Sequence, residues 1–367
     1  MNAVATSAGL AARLAEYVRE LRYEDLPPRV IEKAKDHLAS HLGLAFSGYF
    51  TRAGEQARAV AQDLSGPGEG SATVIGERAR LHPLDAAFAN TTLMRSDGRD
   101  DVLFPVGVHP ALVTMPVALA LGESLHRSGR EALTAIVLGY DLLGKLGNVV
   151  WAWAAEVPRR PIMPFGPFGS ASVAARLMGL DCEQTAHALG IAANSAMGLA
   201  EGDLFPHYYG LVGRNGIMAA LLAQAGTVAP ATSLEGRFGF YRTFFGHVPD
   251  GLDAALATLG RDFEILNATT KRYPGTALNI VPIELMRSLM DQHGFDADDV
   301  TRVDVFVPRK RENFEGGHGA APFTSRQSAV SSVLFALSLL LVDGRIDKAR
   351  YDQFDDPRID AVARRVH

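Results

Sequence analysis

RSDGRDDVLFPVGVHPALVTMPVALALGE, residues 95–123, joins two different kinds of sequence. Its first seven residues hold three aspartates (Asp97, Asp100, Asp101) and two arginines (Arg95, Arg99). A turn broken by Gly and Pro follows, then His109-Pro110, then an apolar helix expected from near Leu112. Charges of both signs therefore crowd against a histidine at a helix entrance. Desolvating such groups is expensive unless they pair or do chemical work. The stretch has two readings: a solvated acidic loop beside a helix-entry histidine, or the seat of the protein's chemistry.

Outward from this stretch the chain reads as helix. Residues 7–21 and 29–47 space Leu10, Leu14, Val18 and Leu21, and then Val30, Ala34, Leu38, Leu42 and Leu44, at helical intervals, with a break at Leu26-Pro27-Pro28. Residues 51–64 form another helix, closed by Ser65-Gly66-Pro67-Gly68, and residues 71–76 a short extended piece. Pro83 opens the helix that runs into the Asp/Arg cluster. Further helices are expected over 113–125, 130–146, 170–177, 182–197 and 214–225. Small residues line them, which allows close packing. Between these helices, the loops 156–169 and 201–214 carry Arg159 and Arg160, then His207, Tyr208 and Tyr209.

The character shifts past Gly246. Residues 267–279 read as a crossover, 281–293 as a helix, 302–307 as a strand (RVDVFV) and 326–341 as an apolar helix. One strand cannot form a sheet alone, so either partner strands go unrecognised or sequence lies beyond His367. The fold class is mainly α: a large all-helical domain over residues 1–265 and a smaller α+β domain over 266–367.

Composition narrows the function classes. The chain has 367 residues, 47% of them hydrophobic and 21% charged, which marks a globular protein with ample core. A net charge of -5 and no basic run argue against a nucleic-acid partner. The single cysteine, Cys182, rules out a disulfide framework and a cysteine-based zinc site within one chain. Apolar runs such as 330–342 are too short to cross a bilayer, and the N-terminus reads as an amphipathic helix, so a soluble, cytoplasmic protein is expected. The histidines are scattered, and the glycines of GLVGRNG lack the strand–turn–helix context of a dinucleotide fold. No metal and no cofactor are expected.

Several segments together resemble the MmgE/PrpD family, which includes 2-methylcitrate dehydratase, cis-aconitate decarboxylase and iminodisuccinate epimerase. They are RSDGRDD…HPALVTMPVALALGE, IVLGYDLLGKL, FGSASVAARLMGLD, ALGIAANSAMGL, GLVGRNGIMAALLAQAGTVAP with LEGRFGF, and TKRYPG, in order over residues 30–365. The resemblance implies a helical domain followed by a lid, an active site in the cleft between them, and homodimers. It also implies lid strands and helices beyond the position of His367. The family's D-x-D-D-T followed by His-Pro is met in part by Asp100, Asp101 and His109-Pro110. Its first aspartate is displaced to Asp97 or replaced by Gly98, and Val102 stands where threonine is usual. A histidine expected before FGSASVAAR is absent; Arg159, Arg160 and Met163 fill that loop. A lysine expected before GLVGRNG is missing, with Phe205 near its place and His207 two residues on. TKRYPG keeps Lys271, Tyr273 and Pro274, but TALNIV lacks the histidine usual after them.

Members of the family make or break bonds next to a carboxylate. That chemistry needs a positioned base, an acid, and cations for the substrate carboxylates. His109 is the candidate general base or acid. Like-charge crowding among Asp97, Asp100 and Asp101 would keep one carboxyl protonated, unless Arg95 and Arg99 neutralise them. His207 and Tyr208, with Tyr209, are candidates for a second proton-transfer group. Arg99, Arg159, Arg160, Lys271, Arg272 and Tyr273 are candidates for binding a small-molecule carboxylate. Trp151, Trp153, Phe165, Phe168 and Phe205 would line a pocket for a more apolar substrate. Three functions stay open at this level: a lyase, an isomerase or epimerase, and a binding protein that kept the fold without its chemistry.

Overall fold

A computed structural model describes residues 9–66, 70–150, 162–196, 206–306 and 320–367. They fall into two compact units, the chain passing from the first to the second between Thr270 and Lys271. The protein is mainly α. Its first unit holds α1 (Leu10–Glu20), α2 (Pro28–Gly48), α3 (Arg52–Ser65), α4 (Pro83–Ser96), α5 (Pro110–Ser124), α6 (Gly129–Asn148), α7 (Ile162–Met178), α8 (Cys182–Ala193), α9 (Pro206–Gln224) and two short helices, α10 (Phe240–Phe245) and α11 (Leu252–Leu256). The starts follow local chemistry. Pro28 occupies the first position of α2, where a missing N–H costs nothing. Thr51 caps α3 by accepting from the Gly54 N–H, and Ser128 with Glu131 forms a capping box on α6.

The core is built on α4 and α5. Every residue of α4 is buried, and so is most of α5. A helix without a polar face must be surrounded, and α2, α3, α5 and α9 pack on α4 while α6, α7 and α9 pack on α5. The helix contacts are close where glycine permits. A Cβ on Gly48 of α2 would stand 1.9 Å from the Leu93 carbonyl oxygen of α4. One on Gly216 of α9, within GLVGRNG, would stand 2.0 Å from Ser170 Oγ of α7. Those glycines serve helix packing, as their sequence context indicates.

Several local readings are corrected. The loops ending at Gly169 and Arg214 become helix at Ile162 and Pro206, because prolines in a first turn give up donors the helix does not need there. The buried face of α2 contains His37 and His41 with Val30, Ala34, Leu44 and Ala45, whereas Leu38 and Leu42 are only half-buried. Within the extended piece read over 71–76, β1 (Ala72–Thr73) pairs antiparallel with β2 (Arg80–Leu81), while β3 (Asp101–Leu103) and β4 (Ala268–Thr270) pair where a turn and a crossover are expected. Asp101 stands opposite Thr270 in the second pair.

The second unit contains α12 (Ile280–His293), α13 (Arg326–Ser331), α14 (Val333–Asp343) and α15 (Pro357–Ala363). The helix expected over 326–341 is two helices, because Ser332 is extended and its hydroxyl accepts from the Phe335 N–H to start α14 afresh. The strand expected at 302–307 is, among the described residues, a single parallel bridge from Val303 to Val366. The core of this unit forms where α14 meets α12 and α15. No described helix is long and apolar enough to cross a membrane.

Candidate active site

Asp97, Asp100, Asp101 and Arg95 are buried, at 1%, 0%, 0% and 7% exposure, which removes the reading of a solvated acidic loop. Three elements produce this. The last turn of α4 carries Arg95, β3 begins at Asp101, and α5 begins just after His109. The connection between α4 and β3 is only four residues long, so its charges stay against the helix ends.

The groups pair in a definite pattern. Arg95 Nη1 donates to Asp100 Oδ1 at 3.1 Å. The Arg99 fork takes both oxygens of Asp97, at 2.5 and 3.0 Å, and the Ser47 hydroxyl donates to Asp97 Oδ2 at 2.5 Å. Neutralisation by the arginines is therefore what the structure shows for Asp97 and Asp100. His109 Nδ1 lies 2.9 Å from Asp100 Oδ2 and donates to the main-chain carbonyl oxygen of Asp101. A carbonyl oxygen only accepts, so Nδ1 carries a hydrogen. In the neutral ring the lone pair is then on Nε2, which makes no hydrogen bond among the described residues. The Tyr209 ring stands edge-on to His109, 5.9 Å between centroids, and Arg95 lies over the same ring at 5.2 Å.

Behind this layer lies a second one that the sequence reading misses. His41 Nε2 accepts from the Asp101 N–H at 3.2 Å and is 3.6 Å from Asp101 Oδ1. The Tyr140 hydroxyl donates to Asp101 Oδ2 at 2.7 Å, and the Ala111 N–H donates to the same oxygen at 3.3 Å. Burial opposes charge on His41, but the Asp101 carboxylate outweighs it and raises the His41 pKa above its usual value. Burial likewise pushes Asp101 up, and its hydrogen bond to His41 overrides that and holds it below the usual carboxylate range. His37 has no hydrogen-bonded acid, so burial pushes it down to about 4. The sequence signal was available. Two histidines four residues apart on the buried face of α2 are out of place in a helix stripe unless they are satisfied.

The other candidate residues are distributed as follows. His207 contacts Gln56 at 3.3 Å and stacks on Phe88, and burial lowers its pKa. Tyr208 is 38% exposed; the aromatic brought against His109 is its neighbour Tyr209. Lys271 is buried in the second unit and donates to the Gly275 carbonyl at 3.3 Å. Arg272 and Tyr273 share Glu284 of α12, at 3.2 and 2.9 Å. Arg159 and Arg160 lie outside the described residues, as do Trp151, Trp153 and Phe205. Phe165 and Phe168 face the core, against the expectation of a pocket lining. Both are fully buried in the helical core against Phe240, with ring centroids 5.5 and 4.9 Å away.

Comparison with known proteins bears on the same region. The model of the MmgE/PrpD N-terminal domain matches residues 12–251. A cis-aconitate decarboxylase-like protein, oryM, from Aspergillus oryzae is 29% identical over 283 residues, which is 71% of this chain and 58% of that protein. The cis-aconitate decarboxylase of Aspergillus terreus is 24% identical over 388 aligned positions, 98% of this chain and 78% of that protein. Human cis-aconitate decarboxylase is 30% identical over 274 residues, 71% of this chain and 55% of that protein. The matched stretch thus spans little more than half of the A. oryzae and human relatives.

Proposed function

The chain belongs to the MmgE/PrpD family, and from that premise we propose that it is a cofactor-independent lyase acting on a small polycarboxylic acid, with decarboxylation as its reaction. One observation carries the reading. His109 has its Nδ1 hydrogen fixed on the Asp101 carbonyl, a carboxylate 2.9 Å from the same nitrogen, and Nε2 left to exchange a proton. The Asp100 carboxylate compensates the charge the ring gains when Nε2 is protonated, as a buried acid does for a catalytic imidazole. The names of the relatives supply the substrate class: an unsaturated tricarboxylate such as cis-aconitate.

In such a substrate the bond from an allylic carbon to one carboxylate breaks and carbon dioxide leaves. The electron pair spreads into the remaining conjugated acid, and a proton must be delivered to carbon to complete the product. His109, protonated at Nε2, is the donor we assign to that step. On the sequence pattern, Arg159, Arg160 and Lys271 are the cations we assign to the substrate carboxylates. Assembly as a homodimer belongs to the same proposal.

Proton NMR in D₂O, with a panel of di- and tricarboxylates and hydroxy acids, tests it. The expected result is a new olefinic product carrying solvent deuterium, formed with release of carbon dioxide and slowed about 100-fold or more in His109→Ala. Deuterium exchange into unaltered substrate, with no eliminated or decarboxylated product, would replace the lyase by an epimerase.

A further inference from the structure

His41 has no place among the proton-transfer groups, yet its fully buried side chain is bonded at both ring nitrogens. Nδ1 donates to the His37 carbonyl oxygen at 2.7 Å, and Nε2 accepts from the Asp101 N–H at 3.2 Å. Asp101 is thereby held at its main-chain N–H and carbonyl and at one carboxylate oxygen. Its N–H goes to His41, its Oδ2 to Tyr140 and to the Ala111 N–H, its Oδ1 faces His41 Nε2 at 3.6 Å, and its carbonyl receives His109. The ring suits this task whether or not it is protonated. Neutral, it accepts the main-chain N–H; charged, it turns its second N–H on the carboxylate oxygen.

What depends on this grip is His109. A free neutral histidine favours a hydrogen on Nε2, which would leave that nitrogen without a lone pair. The opposite tautomer is held here by two acceptors on Nδ1, the carbonyl oxygen of Asp101 and, at 2.9 Å, Asp100 Oδ2, and only the first belongs to a residue bonded to α2. That oxygen sits on the residue His41 fixes, and β3 begins there, tied to β4 by the Asp101–Thr270 pairing. We infer that His41 is a positioning residue, which acts through Asp101 to set the tautomer and ring orientation of His109. The chain α2–Asp101–His109 does for the imidazole what an outer hydrogen-bond partner does for a metal-bound histidine. A core residue of the same shape would fill the space equally well, but it would not hold residue 101.

The consequence for activity rests on the function proposed above; the consequence for the ring does not. The experiment therefore reads both, on the full chain. Nitrogen-15 NMR of histidine-labelled protein reports which nitrogen of His109 carries hydrogen, with His109→Gln assigning the signal. The wild type is expected to show hydrogen on Nδ1 and a bare Nε2. His41→Leu should shift His109 toward the Nε2–H form and lower kcat about 10- to 100-fold, with KM changed less than threefold. His41→Gln, whose amide oxygen can still accept the Asp101 N–H, should restore the wild-type pattern. If His41→Leu does not fold, Tyr140→Phe removes the hydroxyl bonded to Asp101 Oδ2 while leaving His41 in place, and its His109 signals should shift in the same direction. An Nε2–H wild type, or a folded variant with unchanged His109 signals, would overturn the inference. Wild-type protein that shows the expected tautomer but turns over no carboxylate would instead defeat the proposed function and leave this one standing.

Discussion

Arg95 Nη1 lies 3.1 Å from Asp100 Oδ1; both side chains are buried, Arg95 against the ring of Tyr209 and Asp100 against His109. A buried ion pair adds little net stability over an apolar pair, but breaking one side of it leaves a charge without compensation. Arg95→Met should therefore destabilise the protein by about 3 kcal/mol, read as a lowered urea midpoint. Arg95→Lys should recover only part of that loss, because an ammonium does not reproduce the planar guanidinium that packs on the Tyr209 ring.

Gly48 sets how closely α2 approaches α4, and the atom a Cβ would strike is a main-chain oxygen that cannot rotate away. Gly48→Ala should cost about 2–3 kcal/mol, the order expected for overpacking. Since α2 carries His41 and α4 carries Arg95, the same change should also depress activity more than a mutation of equal stability cost in the second unit. Urea unfolding paired with kinetics checks both parts.

Asp141 is a separate buried carboxyl, on α6, that receives the Tyr17 hydroxyl at 2.5 Å and the Glu264 N–H at 2.7 Å. Burial pushes its pKa from 3.8 up to about 7, against the lowering of those two donors. The folded state then holds a proton that the unfolded state has already lost. The stabilisation is complete below about pH 3.8 and is lost as pH rises to about 7. Asp141→Asn should remove this slope, with a difference from wild type that changes by roughly 4 kcal/mol over that window. His37, lowered to about 4, contributes the opposite slope between pH 4 and 6.5, so the difference between variant and wild type is the quantity to follow.

Arg272 pairs with Glu284 in solvent, and Glu284 also holds Arg287 and Tyr273. Screened pairs of this kind contribute little. Arg272→Ala should shift stability by less than about 0.5 kcal/mol, measurable as a change of at most a degree or two in Tm.

The helices and the chemical weight of residues 95–109 were legible in the sequence, because helical spacing, proline and capping residues act within a few positions. The sequence put Asp97, Asp100, Asp101 and His109 in one short stretch; in the structure Asp100 and Asp101 meet His109, and Asp97 is held by Arg99 and Ser47. The burial of those charges was not legible, nor was the choice between Tyr208 and Tyr209, nor the role of His37, His41 and Tyr140. His41 and Asp101 are 60 residues apart, and they meet only because Gly48 lets α2 lie against α4. Phe165 and Phe168 show the same limit from the other side. Their aromatic character was plain, but whether they faced a substrate or the core depended on Phe240, which arrives from more than 70 residues away. Local preferences are written in neighbouring residues. Partners for a buried charge or ring are supplied by packing between distant segments, and tertiary structure alone decides them.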